Sequence, residues 1–394
     1  MKKFLLLLLA TWAFHTLKSE TPDTDRTGTY FEKIDFEFID NKIIIPVTID
    51  GTVYRFLFDT GAPNVISKEL FSKIKPKILK TAKTNDAGGN SDDLKIVSIP
   101  EIHLGNAVFK KTKALVYDLN NIDIFKCYDI DGFIGSNLLR NSVVQIDFEN
   151  KTLILTDNAK NLDLKKSSSI KMDVLGGQSS PFIFIDMKGK KNARDQVMID
   201  TGMDGFYDMS GRSYDIFKSN EIVKELATAT GGGLVSLFGS EKMTKQHRVL
   251  IQEIDVAGIQ FKNLVTTTTA DNISRIGTGM LKHGIVILDF RNKRFYFHTE
   301  EQAFDVSKPL PGFTPTLIDG HLAVGYVWDK KLKDKIAYGD KIVKIENIDI
   351  SQMPLCDVLK KKHLFEEKDT LNIEFKTGKG DINKLMIIKK VPGQ

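Results

Sequence analysis

Phe56-Leu57-Phe58-Asp59-Thr60-Gly61-Ala62 recurs as Val197-Met198-Ile199-Asp200-Thr201-Gly202-Met203, with the two aspartates 141 positions apart. Two further matches hold nearly the same spacing. Ile134-Gly135-Ser136-Asn137-Leu138-Leu139 answers to Ile276-Gly277-Thr278-Gly279-Met280-Leu281, and Val144-Gln145-Ile146-Asp147-Phe148 to Val286-Ile287-Leu288-Asp289-Phe290, both at 142. Three matches at one offset mark an internal duplication, which has to be settled first because it decides the fold. Residues 29–299 are one unit present twice.

Each copy reads as β-structure. Residues 43–49 are rich in β-branched side chains, Asp50-Gly51 is a two-residue hairpin signal, and residues 53–58 form a second strand. In the second copy residues 181–187 and 196–199 take these places, joined by a longer polar turn. Helical periodicity is confined to residues 67–75 and 219–226. The expected fold class is mainly β, with two barrel-like, pseudo-symmetric lobes at residues 29–158 and 168–300.

A carboxylate at the end of an apolar strand is costly to bury unless its charge is shared or hydrogen-bonded. Two such strand ends brought face to face answer that cost together. Carboxylates that approach closely cannot both ionise, so the pair holds one proton between them. One member can then take a proton from water while the other donates to a carbonyl, which is amide hydrolysis without metal or covalent intermediate. On this reading Asp59 and Asp200 are catalytic. Thr60 and Thr201 suit hydrogen bonds across the contact, and Gly61 and Gly202 permit the tight backbone that points the carboxylates inward.

At these residues the chain resembles aspartic peptidases of the retropepsin type, with both halves fused into one polypeptide. The stretch that ends in Asp59-Thr60-Gly61-Ala62 carries the family pattern in full. Asp131-Gly132-Phe133-Ile134-Gly135 with Leu138-Leu139 looks like the family's downstream element, which packs beneath the active loop in relatives. The second copy departs from the pattern at Met203-Asp204. The resemblance also implies a glycine-containing flap after each Asp-Thr-Gly, for which Gly88 and Gly89, and Gly232 and Gly233, are the candidates.

After residue 299, Pro309-Leu310-Pro311-Gly312 reads as a linker. Residues 312–391 then give a strand at 322–327, a short helix at 330–336, a Gly-Asp turn into a strand at 338–347, a longer helix at 353–364 and closing strands at 371–375 and 384–390. This order resembles an α+β PDZ domain of the kind attached to bacterial proteases. Such domains bind a peptide as an added strand and hold its C-terminal carboxylate with backbone amides. The corresponding loop here includes Ile318, Asp319 and Gly320.

The chain begins with Lys2-Lys3 and an apolar run over residues 4–14, a charged-then-apolar layout that suits a secretory signal and is short for a bilayer span. Residues 1–20 are therefore expected to direct export, to a periplasm, a cell surface or the medium, with cleavage after Ala13 or Ser19 both open. No stable membrane span is expected after signal removal. A hydrophobic content of 41% and a charged content of 27% exclude disorder. The net charge of +5 is scattered along the 394 residues, which speaks against a nucleic-acid partner. Cys127 and Cys356 are read as separate small residues in different domains, and the seven histidines show no metal-ligand spacing. Neither metal nor cofactor is expected.

Two functions follow. One is an exported aspartic-type endopeptidase, a hydrolase acting on peptide or protein substrates and carrying a PDZ-like module for recognition. The other is a catalytically silent peptide-binding protein that uses the same cleft and module.

Overall fold

The structure is a computed structural model that describes residues 25–26, 29–85, 91–164, 168–232, 235–236, 239–240, 243–361 and 364–392. The expected signal segment, with Gly88, Gly89 and Gly233, lies outside these residues.

Asp50 and Gly51, with φ of 49° and 75°, close the antiparallel hairpin of Lys42–Ile49 and Thr52–Asp59. Positive φ at both turn residues matches the right-handed twist of the flanking strands. Phe56, Leu57 and Phe58 are all at least 97% buried, because the strand is covered on both faces. Each such side chain contributes about 2 kcal/mol of burial. Gly132–Gly135 runs parallel beside this strand and sets Gly135 opposite Asp59.

The second copy repeats the arrangement. Ser180–Lys188 and Asn192–Ile199 form its hairpin, and Ser274–Ile276 lies parallel to Asn192–Ile199. The turn is shorter than expected, since pairing continues to Lys188 opposite Asn192. The helix of this copy is Gly211–Ser219, while residues 219–226 lead into the strand Val223–Gly231. Ser210 starts that helix by accepting a hydrogen bond from the Ser213 N–H, as Ser67 does for Lys68–Ile74 through Leu70. The β-branched Ile222 and Val223 fit a strand better than a helix.

A six-stranded sheet joins the copies, in the order Ser168–Lys171, Arg294–His298, Ile285–Asp289, Val143–Asp147, Thr152–Thr156, Phe31–Asp35. Its central pair is antiparallel, with Val143 opposite Asp289, Gln145 opposite Ile287 and Asp147 opposite Ile285. Positions related by the 142-residue offset therefore exchange partners about Gln145 and Ile287. One continuous apolar core runs through both copies, from Ile34 to Phe297.

The C-terminal module has its own core, which includes Phe313, Val324, Ile342, Leu371 and Phe375. Its strands are ordered Phe313–Ile318, His321–Val327, Lys341–Ile345, Thr370–Lys376, Ile382–Ile388, with Ile348–Asp349 paired to Lys341–Ile345. The expected helix at 330–336 is a series of turns, with a single i→i+4 bond from Ile336 to Leu332 among i→i+3 bonds. The longer helix is likewise reduced to Leu355–Leu359 and Leu364–Glu367.

Cys127 and Cys356 form a disulfide, which corrects the reading of two separate thiols. It links the helix Asp123–Cys127 of the first copy to Leu355–Leu359 of the C-terminal module across 229 positions of sequence. The module also rests on the second copy. Tyr326 and Trp328 stack on each other and pack with Ala229, and the Arg248 guanidinium lies 4.7 Å from the Trp328 ring centre. Such a contact offsets part of the desolvation of a buried cation.

Candidate active site

The two Asp-Thr-Gly segments meet at the junction of the copies. The Thr60 N–H donates to Thr201 Oγ1 at 3.0 Å, and the Thr201 N–H donates to Thr60 Oγ1 at 3.1 Å. Each hydroxyl donates in turn to a carbonyl of the opposite strand, Thr60 to Ile199 and Thr201 to Phe58, both at 2.7 Å. Both threonines are fully buried, so this exchange satisfies groups that water cannot reach.

Asp59 and Asp200 face each other beyond these threonines. A Cβ added to Gly61 would lie 2.4 Å from the Asp200 Cγ, and one added to Gly202 would lie 2.3 Å from Asp59 Oδ2. A residue with a Cβ fits at either position only if the facing carboxylate moves. The Gly61 N–H donates to Asp59 Oδ1 at 2.9 Å and the Gly202 N–H to Asp200 Oδ1 at 3.0 Å. Burial first, and then the neighbouring charge of Asp200, push the Asp59 carboxyl up to about 7. The Lys42 ammonium, which donates to the Gly202 carbonyl, opposes that rise.

The downstream repeat braces the loops from below. The Ser136 hydroxyl donates to the Thr60 carbonyl at 2.6 Å, and the Ser136 N–H donates to the Ala62 carbonyl at 3.1 Å. The Thr278 N–H does the same for Met203 at 2.9 Å. Met203 thus keeps the backbone role of Ala62 despite its larger side chain. A Cβ on Gly135 would lie 2.3 Å from the Ala62 carbonyl oxygen, and one on Gly277 would lie 2.5 Å from that of Met203. Among the described residues, no group of three or more His, Cys, Asp or Glu side chains could hold a metal ion.

Residues 45–138 match a family model described as aspartyl protease. The matched segment contains the first Asp-Thr-Gly and the Ile134-Gly135 element that follows it. No curated protein matches the chain. Among solved structures, one similar chain is a retropepsin-like aspartic protease from Rickettsia conorii, at 23% identity and a TM-score of 0.25, covering 33% of this chain and 93% of that one. Another is basic 7S globulin from soybean, at 9% identity and a TM-score of 0.41, covering 70% of this chain and 96% of that one.

Several groups at this site escaped sequence reasoning. Arg275, 8% exposed, places Nε 3.3 Å from Asp200 Oδ2 and also pairs with Asp271. Burial works against its charge, but Asp200, Asp271 and Asp208 outweigh burial and hold the guanidinium above its usual range. The signal was present in the repeat, since Arg275 stands 142 positions after Phe133, a cation where the first copy has an aromatic side chain. Gln178 also reaches the site, donating to the Gly61 carbonyl at 3.1 Å.

Of the remaining candidates, Gly232, Ile318, Asp319 and Gly320 fall within the described residues. Gly232 follows the strand Val223–Gly231 and packs against the C-terminal module, where its carbonyl would lie 2.7 Å from a Cβ on Gly325. Asp319 and Gly320, with φ of 48° and 72°, form an exposed two-residue turn. Ile318 pairs with His321 directly across it. Phe313–Ile318 thus lines one edge of His321–Val327 throughout.

Proposed function

We propose that the protein is an aspartic endopeptidase in which Asp59 and Asp200 share one proton and activate water between them. The observation that carries this reading is the facing pair of carboxylates, each occupying the space a Cβ of the other copy's glycine would need. The raised Asp59 carboxyl supports it, because an acid must keep its proton near the working pH to donate it.

In the reaction one carboxylate takes a proton from water as the water oxygen bonds to the peptide carbonyl carbon. The protonated carboxyl gives its proton to the carbonyl oxygen, forming a neutral diol. As the C–N bond breaks, the first carboxyl delivers its proton to nitrogen and a diol hydroxyl returns one to the second. Water is consumed, and the dyad ends as it began.

Lobes built as pseudo-symmetric retropepsin-type halves accord with the partner exchange about Gln145 and Ile287. The PDZ-like module at residues 312–391 would recognise peptide or substrate, with the turn at Ile318, Asp319 and Gly320 as the site for a C-terminal carboxylate. Export is supported by the disulfide, since such bonds persist mainly in oxidising compartments. No helix among the described residues is long and apolar enough to cross a membrane.

A silent peptide-binding protein is the second reading, favoured by the ion pair of Asp200 with Arg275, a charge that a water-activating dyad does not require. Purified protein and its Asp59→Asn variant, incubated with a mixed peptide library from pH 3 to 8, separate the two. Cutting by the wild type alone supports the endopeptidase. Equal cutting by both, or none by the wild type, overturns it.

A further inference from the structure

We propose that Arg275 is a positioning residue that assigns the dyad's negative charge to Asp200, leaving Asp59 as the proton donor. This deepens the endopeptidase reading and rests on it for its catalytic meaning. The assignment begins with unequal surroundings. Asp200 Oδ1 accepts two backbone N–H groups, from Gly202 at 3.0 Å and Met203 at 3.2 Å, while Oδ2 meets the Arg275 Nε at 3.3 Å. Asp59 Oδ1 accepts the Gly61 N–H, and the Ala62 N–H donates to the Asp59 backbone carbonyl at 3.4 Å, whereas the Met203 N–H, which makes the equivalent bond to the Asp200 carbonyl at 3.2 Å, is shared with Oδ1. Donors stabilise a charged carboxylate more than a neutral one, so the better-supplied member carries the charge.

The difference comes from one substitution within the duplication. Phe133 lies opposite Leu57 and Val65, and Arg275 lies opposite Met198 and Asp208 at the corresponding places. An assembly of two identical halves would carry this cation on both sides or on neither. Fusion into one chain lets a single side be charged.

Of the other charged groups around the pair, Lys42 works against this polarity by favouring a charged Asp59, and the acids beside Arg275 temper its effect. Arg275 is held from behind by Asp271 and lies in the field of Asp208, so part of its charge is already matched. Lys42 reaches the dyad from the strand Lys42–Ile49, but its ammonium is engaged by the Gly202 carbonyl. In the hydrolytic step Asp200 then takes the proton from water and Asp59 donates to the carbonyl oxygen. Arg275 itself stays charged throughout.

The test is the pH dependence of kcat/KM for Arg275→Phe, Arg275→Lys and Asp271→Asn, with folding checked by circular dichroism. Losing a guanidinium beside a carboxylate should move the acid limb for Arg275→Phe upward by roughly 1 to 3 pH units. Arg275→Lys should recover much of that displacement. Asp271→Asn frees more of the arginine charge for Asp200 and should move the limb the opposite way. Should Arg275→Phe not fold, the opposed displacements in Arg275→Lys and Asp271→Asn decide the matter. Limbs that coincide in all folded variants overturn the assignment while leaving the endopeptidase reading intact.

A readout independent of turnover is the carboxyl carbon signal of Asp59 followed by NMR. It should titrate in one step in the wild type and in two in Arg275→Phe, as the charge becomes shared between the aspartates. One step in both proteins overturns the proposal even if no peptide is ever cut.

Discussion

Thr60 and Thr201 each donate a backbone N–H to the other's hydroxyl, at 3.0 and 3.1 Å, and each hydroxyl passes its own hydrogen to the opposite strand. The exchange ties the copies together directly beneath the carboxylates. Replacing either residue by valine leaves a buried N–H and a buried carbonyl without partners, at about 1–3 kcal/mol each. Thermal denaturation should therefore show Thr201→Val destabilised by roughly 2–6 kcal/mol. Thr201→Ser, which retains the hydroxyl, should stay close to the wild type.

Gly202→Ala tests the closeness of the carboxylates. Its Cβ would sit 2.3 Å from Asp59 Oδ2, so Asp59 must move. Displacement of a reacting group by about an ångström can cost 100-fold in rate. A loss of at least that size in kcat/KM is expected, with circular dichroism unchanged. Activity within a few-fold of wild type would show that the aspartates need not approach so closely.

The raised Asp59 carboxyl makes stability depend on pH with a definite sign. Between the ordinary value of 3.8 and about 7 the folded protein keeps a proton that the unfolded chain releases. The associated stability is present below pH 4 and is lost as pH rises through about 7. At about 1.4 kcal/mol per pH unit, the effect is bounded near 4 kcal/mol. Asp59→Asn removes the penalty, so melting curves should place it above the wild type at pH 8, with the advantage fading towards pH 4.

Reducing the bond between Cys127 and Cys356 should loosen the C-terminal module from the first copy. Closing a loop of this length limits the unfolded chain by at most about 5 kcal/mol in the entropic model. The sheets that already constrain the intervening chain remain intact. Calorimetry of Cys356→Ser, or of the wild type with reductant, should show the module melting ahead of the lobes. A single unshifted transition would assign the bond no role in docking.

The aspartate loops were legible because they break a rule, placing a charge at the end of a buried strand and doing so twice. The hairpin at Asp50-Gly51 was legible because few residue pairs take positive φ in succession. The bond between Cys127 and Cys356 was not, since residues 229 apart meet only through packing that the local sequence does not describe. The helix Gly211–Ser219 was missed although its Ser210 cap repeats that of Ser67, a likeness visible only after the copies are aligned. Arg275 hid for the opposite reason. Reading for what the copies share passes over the place where they differ.

The central strands of the joining sheet carry a consequence for how the molecule comes to be made. Val143–Asp147 finds its antiparallel neighbour in Ile285–Asp289, which leaves the ribosome some 140 residues later. At synthesis rates of 5–20 residues per second, that is a delay of roughly 7 to 30 s. Throughout it, a nascent first copy would present an apolar edge built to receive a near-copy of itself, including that of a neighbouring chain on the same message. Swapped dimers are the characteristic error of such an arrangement, and slowing translation between the two strands should increase their yield.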